Sequence, residues 1–227
     1  MYKKAFTMLE LIIVLVVVGI LSGVILPRLE RDPLREGTNQ VIRSLQYTQH
    51  LAMNNDIYNA SDLTWFKERW QMKFSKTVGS GSMWSCTIYS DRLNQDGVPN
   101  ISEIALNPMD HNRKLTGGYS ATTIAFGESD STAEMNIGNT YKILDVDFLG
   151  GCASGDGRKW ISFDHIGRPY YRGAHLLDTP TMDGLQDRRI LSQCQIVLCT
   201  VADCTTATAE EKRVIVIEPE TGYIHLL

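Results

Sequence analysis

The sequence predicts an α+β fold, in which a long N-terminal helix packs on an antiparallel β-sheet or β-sandwich domain. Apolar or small residues recur every three or four positions between Leu34 and Ala52, which is the spacing of a helix with one buried face. After Asn59, short runs of alternating apolar and polar residues are separated by spacers rich in Gly, Asn, Asp and Ser, as in antiparallel hairpins. The length of 227 residues suits one globular domain with an appendage.

The first element is an apolar segment over residues 6–26. Its exceptions are Thr7, Glu10, Gly19, Ser22 and Gly23. About 20 such residues, at 1.5 Å each, match the hydrocarbon thickness of a bilayer, so the segment is predicted to be a transmembrane helix. Lys3 and Lys4 precede it, and this charge bias places the N-terminus in the cytoplasm and the remaining chain outside. A secretory signal peptide and a simple uncleaved anchor are the alternative interpretations.

The soluble half of the same helix is predicted over residues 27–58. Pro27 and Pro33 should bend or loosen it, because proline removes a backbone donor and crowds the preceding turn. The run "MNNDIYN" carries stop signals, so we expect the helix to end near Asn55. A helix from Phe6 to Asn55 would be about 75 Å long.

The globular domain is predicted over residues 59–227 and is large enough to enclose its own core. The alternation of apolar and polar residues predicts its strands. They are expected at residues 69–75, 83–90, 122–127, 141–148, 159–164, 169–173, 194–200, 213–219 and 223–227.

Composition and motifs exclude several functions. The formal net charge of -4 argues against a protein that binds nucleic acid through a basic surface. No G-x-S-x-G motif is present and the histidines are dispersed, so we expect neither catalytic residues nor enzymatic activity. Asp164 and His165 are assigned to a turn before Gly167.

Four of the five cysteines are candidates for disulfides. Cys199 and Cys204 bracket four residues that suit a hairpin loop, so a bridge across its base is one expectation. Cys152 with Cys194 is a looser one, and it leaves Cys86 free. A thiolate metal site at Cys194, Cys199 and Cys204 is the alternative, although no C-x-x-C pair supports it.

A calcium loop is a further candidate, over residues 92–103. Asn94, Asp96, Gly97 and Glu103 occupy the positions of an EF-hand-like loop. Its first position holds Arg92, and the adjacent Asp91 is the substitute ligand. The alternative is a polar β-turn around Asp96 and Gly97 with no cofactor.

The first 29 residues resemble the prepilin signal shared by type IV pilins and the pseudopilins of type II secretion. The matching features are the short basic leader over residues 1–5, Phe6, Glu10, the uninterrupted apolar helix and Pro27. The sequence departs from the family at Ala5, where glycine is usual, but the side chain remains small. The resemblance implies that a prepilin peptidase cleaves between Ala5 and Phe6 and that Phe6 is then N-methylated.

The resemblance also implies a role for Glu10. A carboxylate near the centre of a bilayer costs about 2.5–3.5 kcal/mol, and less toward an end, unless a partner neutralises it. In the family, the new α-amine of Phe6 in a neighbouring subunit supplies that partner and sets the register of the filament. The alternative is that Glu10 only reaches to the membrane interface.

A weaker resemblance covers three later stretches. These are "LREGTNQVIRSLQYTQHLAMNNDIY", "WISFDHIGRPYY" and "RVIVIEPETGYIHL", which are similar to the H-type pseudopilin and to related minor pilins of type IV pili. Here Phe163, Asp164, Gly167 and Pro169 form the family's turn, and Thr-Gly at residues 221–222 lies in the terminal strand pair. A pilin-like fold is therefore expected.

Together, these resemblances imply a minor pilin or pseudopilin of a type II secretion pseudopilus, anchored in the inner membrane with its globular domain in the periplasm. The expected partners are the prepilin peptidase, other pilin subunits, the inner-membrane assembly platform and membrane lipid. A minor pilin for type IV pilus assembly, adhesion, motility or DNA uptake is the alternative within the family. The alternative of another class is a single-pass anchored binding or sensor domain that does not polymerise.

Overall fold

The computed structural model describes residues 7–25, 32–55, 57–120, 124–155, 157–173 and 188–227. The chain forms two compact units, Met1–Asp32 and Pro33–Leu227. The first unit contains helix α1 (Met8–Ile25), and the second contains helices α2 (Pro33–Asn54) and α3 (Ile137–Tyr141) with all of the described strands. The α+β class predicted from the sequence is therefore confirmed.

The predicted long helix is interrupted before Pro33. Asp32 is not helical, whereas α2 starts at Pro33 and ends at Asn54, close to the expected end at Asn55. The interruption has a steric reason, because proline disfavours helical geometry in the residue before it but fits the first helical position. Pro27 lies outside the described residues.

Helix α2 buries the face that the sequence periodicity predicts. The opposite face carries polar side chains such as Arg35, Asn39 and Arg43, which are exposed. Since the buried positions recur at intervals of three or four, a single stripe of the helix enters the core. Its members are Leu34, Gly37, Thr38, Val41, Ser44, Leu45, Thr48 and Ala52.

The strands form two four-stranded antiparallel sheets. In chain order they are β1 (Trp70–Lys76), β2 (Trp84–Ser90), β3 (Leu106–Asn107), β4 (Asp110–Lys114), β5 (Asp145–Gly150), β6 (Lys159–Phe163), β7 (Pro169–Tyr171), β8 (Cys194–Cys199), β9 (Lys212–Ile217) and β10 (Ile224–Leu226). One sheet has the order β2-β1-β6-β7 and the other β10-β9-β8-β5. Within the described residues, β3 and β4 form a separate two-stranded hairpin.

Both sheets contribute to one hydrophobic core around α2. Helix α2 contacts β1 and β6 of the first sheet and β8, β9 and β10 of the second. The rings of Phe74 on β1 and Phe148 on β5 meet edge to face, with centroids 5.4 Å apart. The core therefore joins the two sheets through the helix and through side chains that meet directly.

Two local predictions need correction, and one hairpin was missed. The predicted strand at 122–127 is wrong for residues 124–127, which form no strand; residues 122 and 123 lie outside the described part. Ile124 is instead buried beside Tyr89 and Ile104. Tyr141, expected at the start of a strand, ends helix α3, and the hairpin of β3 and β4 was not predicted.

The two disulfides secure both ends of strand β8. Cys194 at its start is bonded to Cys152, and Cys199 at its end is bonded to Cys204. Cys86 is buried and carries a free thiol, whose pKa burial raises well above its usual value. Since β8 is an interior strand of its sheet, both bridges tie loops to the core.

Gln49 of α2 joins two turns that are distant in sequence. Its amide Nε2 donates to the carbonyl oxygens of Gly167, at 2.8 Å, and Thr221, at 3.0 Å. Gly222 lies in the second turn with φ +63°, and a Cβ there would collide with the Gly167 carbonyl oxygen and approach Gln49 Nε2 to 2.6 Å. The junction therefore requires glycine at position 222.

We expect Gly222→Ala to lower the free energy of unfolding by about 3 kcal/mol, because it combines a left-handed backbone with a steric collision. Gly81→Ala is the matched control: Gly81 also has positive φ, +67°, but nothing lies within 4 Å of its Cβ position. That variant should lose only about 1 kcal/mol. Denaturant unfolding of the two variants measures both values, and equal losses would contradict the steric argument.

We expect the two disulfides to contribute unequally. The Cys152–Cys194 bridge spans 42 residues and the Cys199–Cys204 bridge spans 5. On the loop-entropy model these spans correspond to about 4 and about 2 kcal/mol. Replacing each pair by alanine and measuring denaturant unfolding tests the difference; a larger loss from the shorter bridge would refute the ranking.

Candidate processing and assembly site

The predicted cleavage site is at the N-terminus of the chain. Ala5 and Phe6, between which cleavage is expected, both lie outside the described residues. Thr7 is the first described residue, and α1 begins one residue later. The described part of the site therefore consists of Thr7 and the first turn of α1, which carries Glu10.

Thr7 and Glu10 form a capping box at the start of α1. The Glu10 backbone N–H donates to Thr7 Oγ1 at 3.2 Å, while Glu10 Oε2 accepts from the Thr7 backbone N–H at 3.0 Å. The Thr7 hydroxyl also donates to Glu10 Oε2 at 3.0 Å. Because the first N–H groups of a helix have no partner inside the helix, this arrangement satisfies two of them and starts the helix.

The sequence contained a signal for this capping box. A Thr or Ser followed three residues later by Glu, just before an apolar run, is a known start signal for a helix. Thr7 and Glu10 fit that pattern, whereas the sequence interpretation of Glu10 as a register residue or as a residue at the membrane interface did not include the capping role of Thr7. The carboxylate of Glu10 thus has a local partner in the isolated subunit.

Apart from Glu10 and Ser22, helix α1 carries no polar side chain. Its large apolar side chains from Met8 to Leu21 are exposed, from Val17 at 48% to Met8 at 82%. A helix without a polar stripe does not suit a boundary between core and water. Among the residues that the structure describes, no helix meets the length and apolarity needed to cross a membrane.

The predicted calcium ligands accept hydrogen bonds from the backbone of their own loop. Glu103 Oε1 accepts from Leu93 N at 2.6 Å, and Glu103 Oε2 accepts from Asn100 N at 2.8 Å. Asp91 Oδ2 accepts from Gly97 N at 2.6 Å, and Asp96 Oδ1 from Val98 N at 2.8 Å. These carboxylates therefore organise the loop through its N–H groups.

No group of three or more His, Cys, Asp or Glu side chains in the described ranges is arranged to hold a metal ion. Asn94, the remaining calcium candidate, is an exposed residue of the same loop. Calcium binding at Asp91, Asn94, Asp96 and Glu103 stays a prediction. Cys194, Cys199 and Cys204, the alternative thiolate set, are all bonded in disulfides.

A buried lysine supports the same loop from strand β1. Lys73 Nζ donates to the Gly97 carbonyl at 2.9 Å and to Tyr119 Oη at 2.6 Å, and it lies 4.4 Å from the ring centroid of Trp160. Burial lowers the pKa of Lys73 to about 8, although the negative charge of Asp91 opposes that shift. Burial disfavours the charged form of Asp91 as well, and for an acid this raises the pKa, here to about 6. Gly97 is thus held at both its N–H and its carbonyl.

Asp164 has a structural role, as expected for the turn before Gly167. Its buried carboxylate accepts from the backbone N–H groups of Ile166, at 3.1 Å, and Arg168, at 2.9 Å. It also accepts from Arg168 Nε at 2.8 Å and from Tyr170 Oη at 3.1 Å. Four donors therefore hold this carboxylate in place and fix the turn.

Comparison with protein families adds one finding about the N-terminus. Residues 1–26 match the family model described as the prokaryotic N-terminal methylation motif. The chain carries the N-terminal methylation motif of type IV pilin-like proteins. The matched region contains Ala5, Phe6, Thr7 and Glu10, and it ends just after α1. Searches of curated proteins and of solved structures found no match.

We expect Thr7→Val to loosen the first turn of α1, because valine keeps the shape of threonine but removes the capping hydroxyl. The loss should be about 1 kcal/mol, and Thr7→Ser should retain most of the cap. Hydrogen exchange of the Leu9 and Glu10 amides in the full chain, held in lipid nanodiscs, measures this difference. Equal exchange rates in the valine and serine variants would contradict the capping role.

We expect Asp91→Asn to remove a pH dependence of stability. The folded chain binds a proton at Asp91 below about pH 6, whereas the ordinary pKa of an aspartate is 3.8. Folding is therefore favoured as pH falls from about 6 toward 4, and this contribution is lost as pH rises through about 6. The unfolding free energy, measured at several pH values across that window, should rise less in the variant than in the natural protein as the pH falls.

Asp62→Asn is the control with the opposite sign. Hydrogen bonds from the backbone N–H and the hydroxyl of Thr64 lower the pKa of Asp62 below its usual 3.8. Its stabilising contribution is present above that value and is lost as pH falls. A variant of Asp91 that keeps the full pH dependence of the natural protein would refute the assignment.

Proposed function

We propose that the chain is a minor pilin or pseudopilin, a structural subunit of a type II secretion pseudopilus. It matures when a prepilin peptidase cleaves between Ala5 and Phe6 and Phe6 is N-methylated. The observation that carries the proposal is the methylation motif over residues 1–26, which contains a single carboxylate, Glu10, in the first turn of a helix that is otherwise apolar.

The apolar surface of α1 suits two environments in succession, first the lipid bilayer and then the interior of the filament. Fully burying a Leu, Ile or Val side chain contributes about 1.5–3 kcal/mol relative to exposure, and α1 carries many of them. Before assembly, lipid covers this surface, and in the filament the α1 helices of neighbouring subunits cover it. The same helix thus serves first as a membrane anchor and then as a packing element.

Glu10 distinguishes these two environments. In lipid, the hydrogen bonds from Thr7 satisfy part of the carboxylate but leave its charge unpaired. In the filament, the α-amine of Phe6 in a neighbouring subunit pairs with it, because cleavage creates that amine at the same depth. Charge pairing in a medium of low dielectric then favours one register between subunits.

The globular unit remains outside the membrane, in the periplasm, where disulfides form and persist. It contributes lateral contacts between subunits and has no catalytic role in this proposal. Loss of the leader removes Lys3 and Lys4 and changes the formal net charge from -4 to -6. A whole-surface contact with nucleic acid is therefore still less favoured after maturation.

The partners are the prepilin peptidase, other pilin subunits and the inner-membrane platform that extracts the subunit from lipid. The same maturation and packing suit a minor pilin of a type IV pilus. The two systems are distinguished by deletion of the chain in its natural cell: loss of protein secretion supports the pseudopilus, whereas loss of twitching, adhesion or DNA uptake supports the pilus.

We expect Glu10→Ala to be cleaved and N-methylated normally but to be lost from filaments, because the peptidase acts before the register contact forms. Intact mass and N-terminal sequencing report maturation, and the amount of the chain in sheared filaments reports assembly. Glu134→Ala, which removes an exposed carboxylate from the globular unit, is the control.

Two results would contradict this proposal. A mature N-terminus other than methylated Phe6 would refute the maturation step. A Glu10→Ala variant that enters filaments as well as the control would refute the register role, even if maturation proceeds as expected.

A further inference from the structure

The chain contains two tripeptides of the form N-x-S, which are N-A-S at residues 59–61 and N-I-S at residues 100–102. With any residue except proline in the middle, this pattern is the acceptor for N-linked glycans in surface loops of secreted proteins. A pattern of three residues also recurs by chance, so the surroundings of each asparagine decide whether an enzyme can use it. The two surroundings differ in this chain.

Asn59 starts an exposed turn in the chain that follows α2. Residues 58–61 are all exposed. The backbone carbonyl oxygen of Asn59 accepts from Asp62 N at 3.1 Å, and its side-chain Oδ1 accepts from Ser61 N at 3.0 Å. These contacts engage both oxygens of Asn59, whereas its amide nitrogen, Nδ2, has no hydrogen-bond partner among the described residues. The nitrogen that a glycan would join is therefore accessible.

The turn at Asn59 can open without disturbing the core. An enzyme that reads the tripeptide must reach the Asn59 amide and the Ser61 hydroxyl together. The two hydrogen bonds that close the turn join residues at most three positions apart, and both lie at the surface. Exposed loops with few buried contacts open at the lowest cost in free energy, so an enzyme can reshape this segment while the fold stays intact.

Asn100, in the second tripeptide, is held by its own loop. Its Nδ2 donates to Glu103 Oε2 at 2.9 Å, and its backbone N–H donates to the same oxygen at 2.8 Å. Asn100 precedes the 3₁₀ turn Ile101–Glu103, and the buried carboxylate of Glu103 also accepts from Leu93 N at 2.6 Å. Presenting the Asn100 amide to an enzyme would break the contacts that organise this loop.

We propose that Asn59 is the attachment site of an N-linked glycan. The donor is an oligosaccharide carried on a lipid pyrophosphate, and a transferase of the cell recognises the Ser61 hydroxyl. Nδ2 of Asn59 forms a bond to the anomeric carbon of the first sugar, while the bond from that carbon to the pyrophosphate oxygen breaks. The lipid pyrophosphate leaves with the electron pair, and a base of the transferase takes the proton that Nδ2 loses. The transfer needs no oxidant or reductant.

The inference rests on the proposed function in one respect, which is the placement of the globular unit outside the cytoplasmic membrane. Glycan acceptors of this kind belong to secreted or exported chains. A glycan is bulky and strongly hydrated, so the surface around Asn59 would stay in solvent. The modification therefore marks a face of the globular unit that does not pack against neighbouring subunits.

The test uses the full chain isolated from its natural cell. Trypsin separates the two tripeptides, because cleavage after Arg43 and Lys67 releases the first and cleavage after Arg92 and Arg113 releases the second. Electron-transfer fragmentation of each peptide then locates any added mass. We expect a hexose or hexosamine adduct on Nδ2 of Asn59 and an unmodified second tripeptide.

Asn59→Gln and Ser61→Ala should each lose the adduct, whereas Ser61→Thr, which keeps a hydroxyl at that position, should retain it. Asn100→Gln is the matched control in the second tripeptide and should keep the glycan on Asn59. Thermal unfolding shows whether each variant is folded.

The inference is overturned if the chain carries no glycan, if the glycan is on Asn100 or on a hydroxyl oxygen, or if the adduct survives Ser61→Ala. The mass of the N-terminal peptide reports methylation of Phe6 separately. A chain with methylated Phe6 and no glycan would refute this inference alone and leave the proposed function standing.

Discussion

The buried stripe of α2 is the constraint on which the globular structure depends. Both sheets pack on it, and Leu34, Val41, Leu45 and Ala52 are members of the same hydrophobic core as strands from each sheet. Gln49, on the same helix, donates hydrogen bonds to the turn between β6 and β7 and to the turn between β9 and β10. Apolar burial supplies most of the driving force for this packing, and the directional hydrogen bonds of Gln49 fix the two turns relative to the helix.

Several carboxylates accept hydrogen bonds from the backbone of their own turn or helix end. Glu10, Glu103 and Asp164 each accept hydrogen bonds from main-chain N–H groups close to them in sequence. A charged acceptor forms stronger hydrogen bonds than a neutral one, so a single side chain can fix a helix start or a turn. For Glu10 this bears on function, because Thr7 of the same subunit already holds in position the carboxylate that is proposed to set the filament register.

Secondary structure was predictable where the pattern was strong. The strands around residues 70–76, 84–90, 159–163 and 194–199 were predicted from short apolar or alternating runs, and both faces of each are mostly buried. The hairpin of β3 and β4 was missed because its second strand, Asp110–Lys114, is polar at every position. At residues 124–127 the apolar residues did indicate burial, since Ile124 is buried beside Tyr89, but the segment pairs with no strand. An apolar pattern therefore predicts burial, and a buried segment need not belong to a sheet.

The sequence by itself determined the apolar N-terminal segment, its methylation motif, the amphipathic helix after it and most strands, because these depend on local order and on hydrophobic period. Only the tertiary structure decided that Gln49 donates to the carbonyl oxygens of Gly167 and Thr221 and that Lys73 donates to that of Gly97. Those contacts join residues that are distant along the chain. Their partners are selected by the packing of the sheets on α2, and no local pattern in the sequence records that choice.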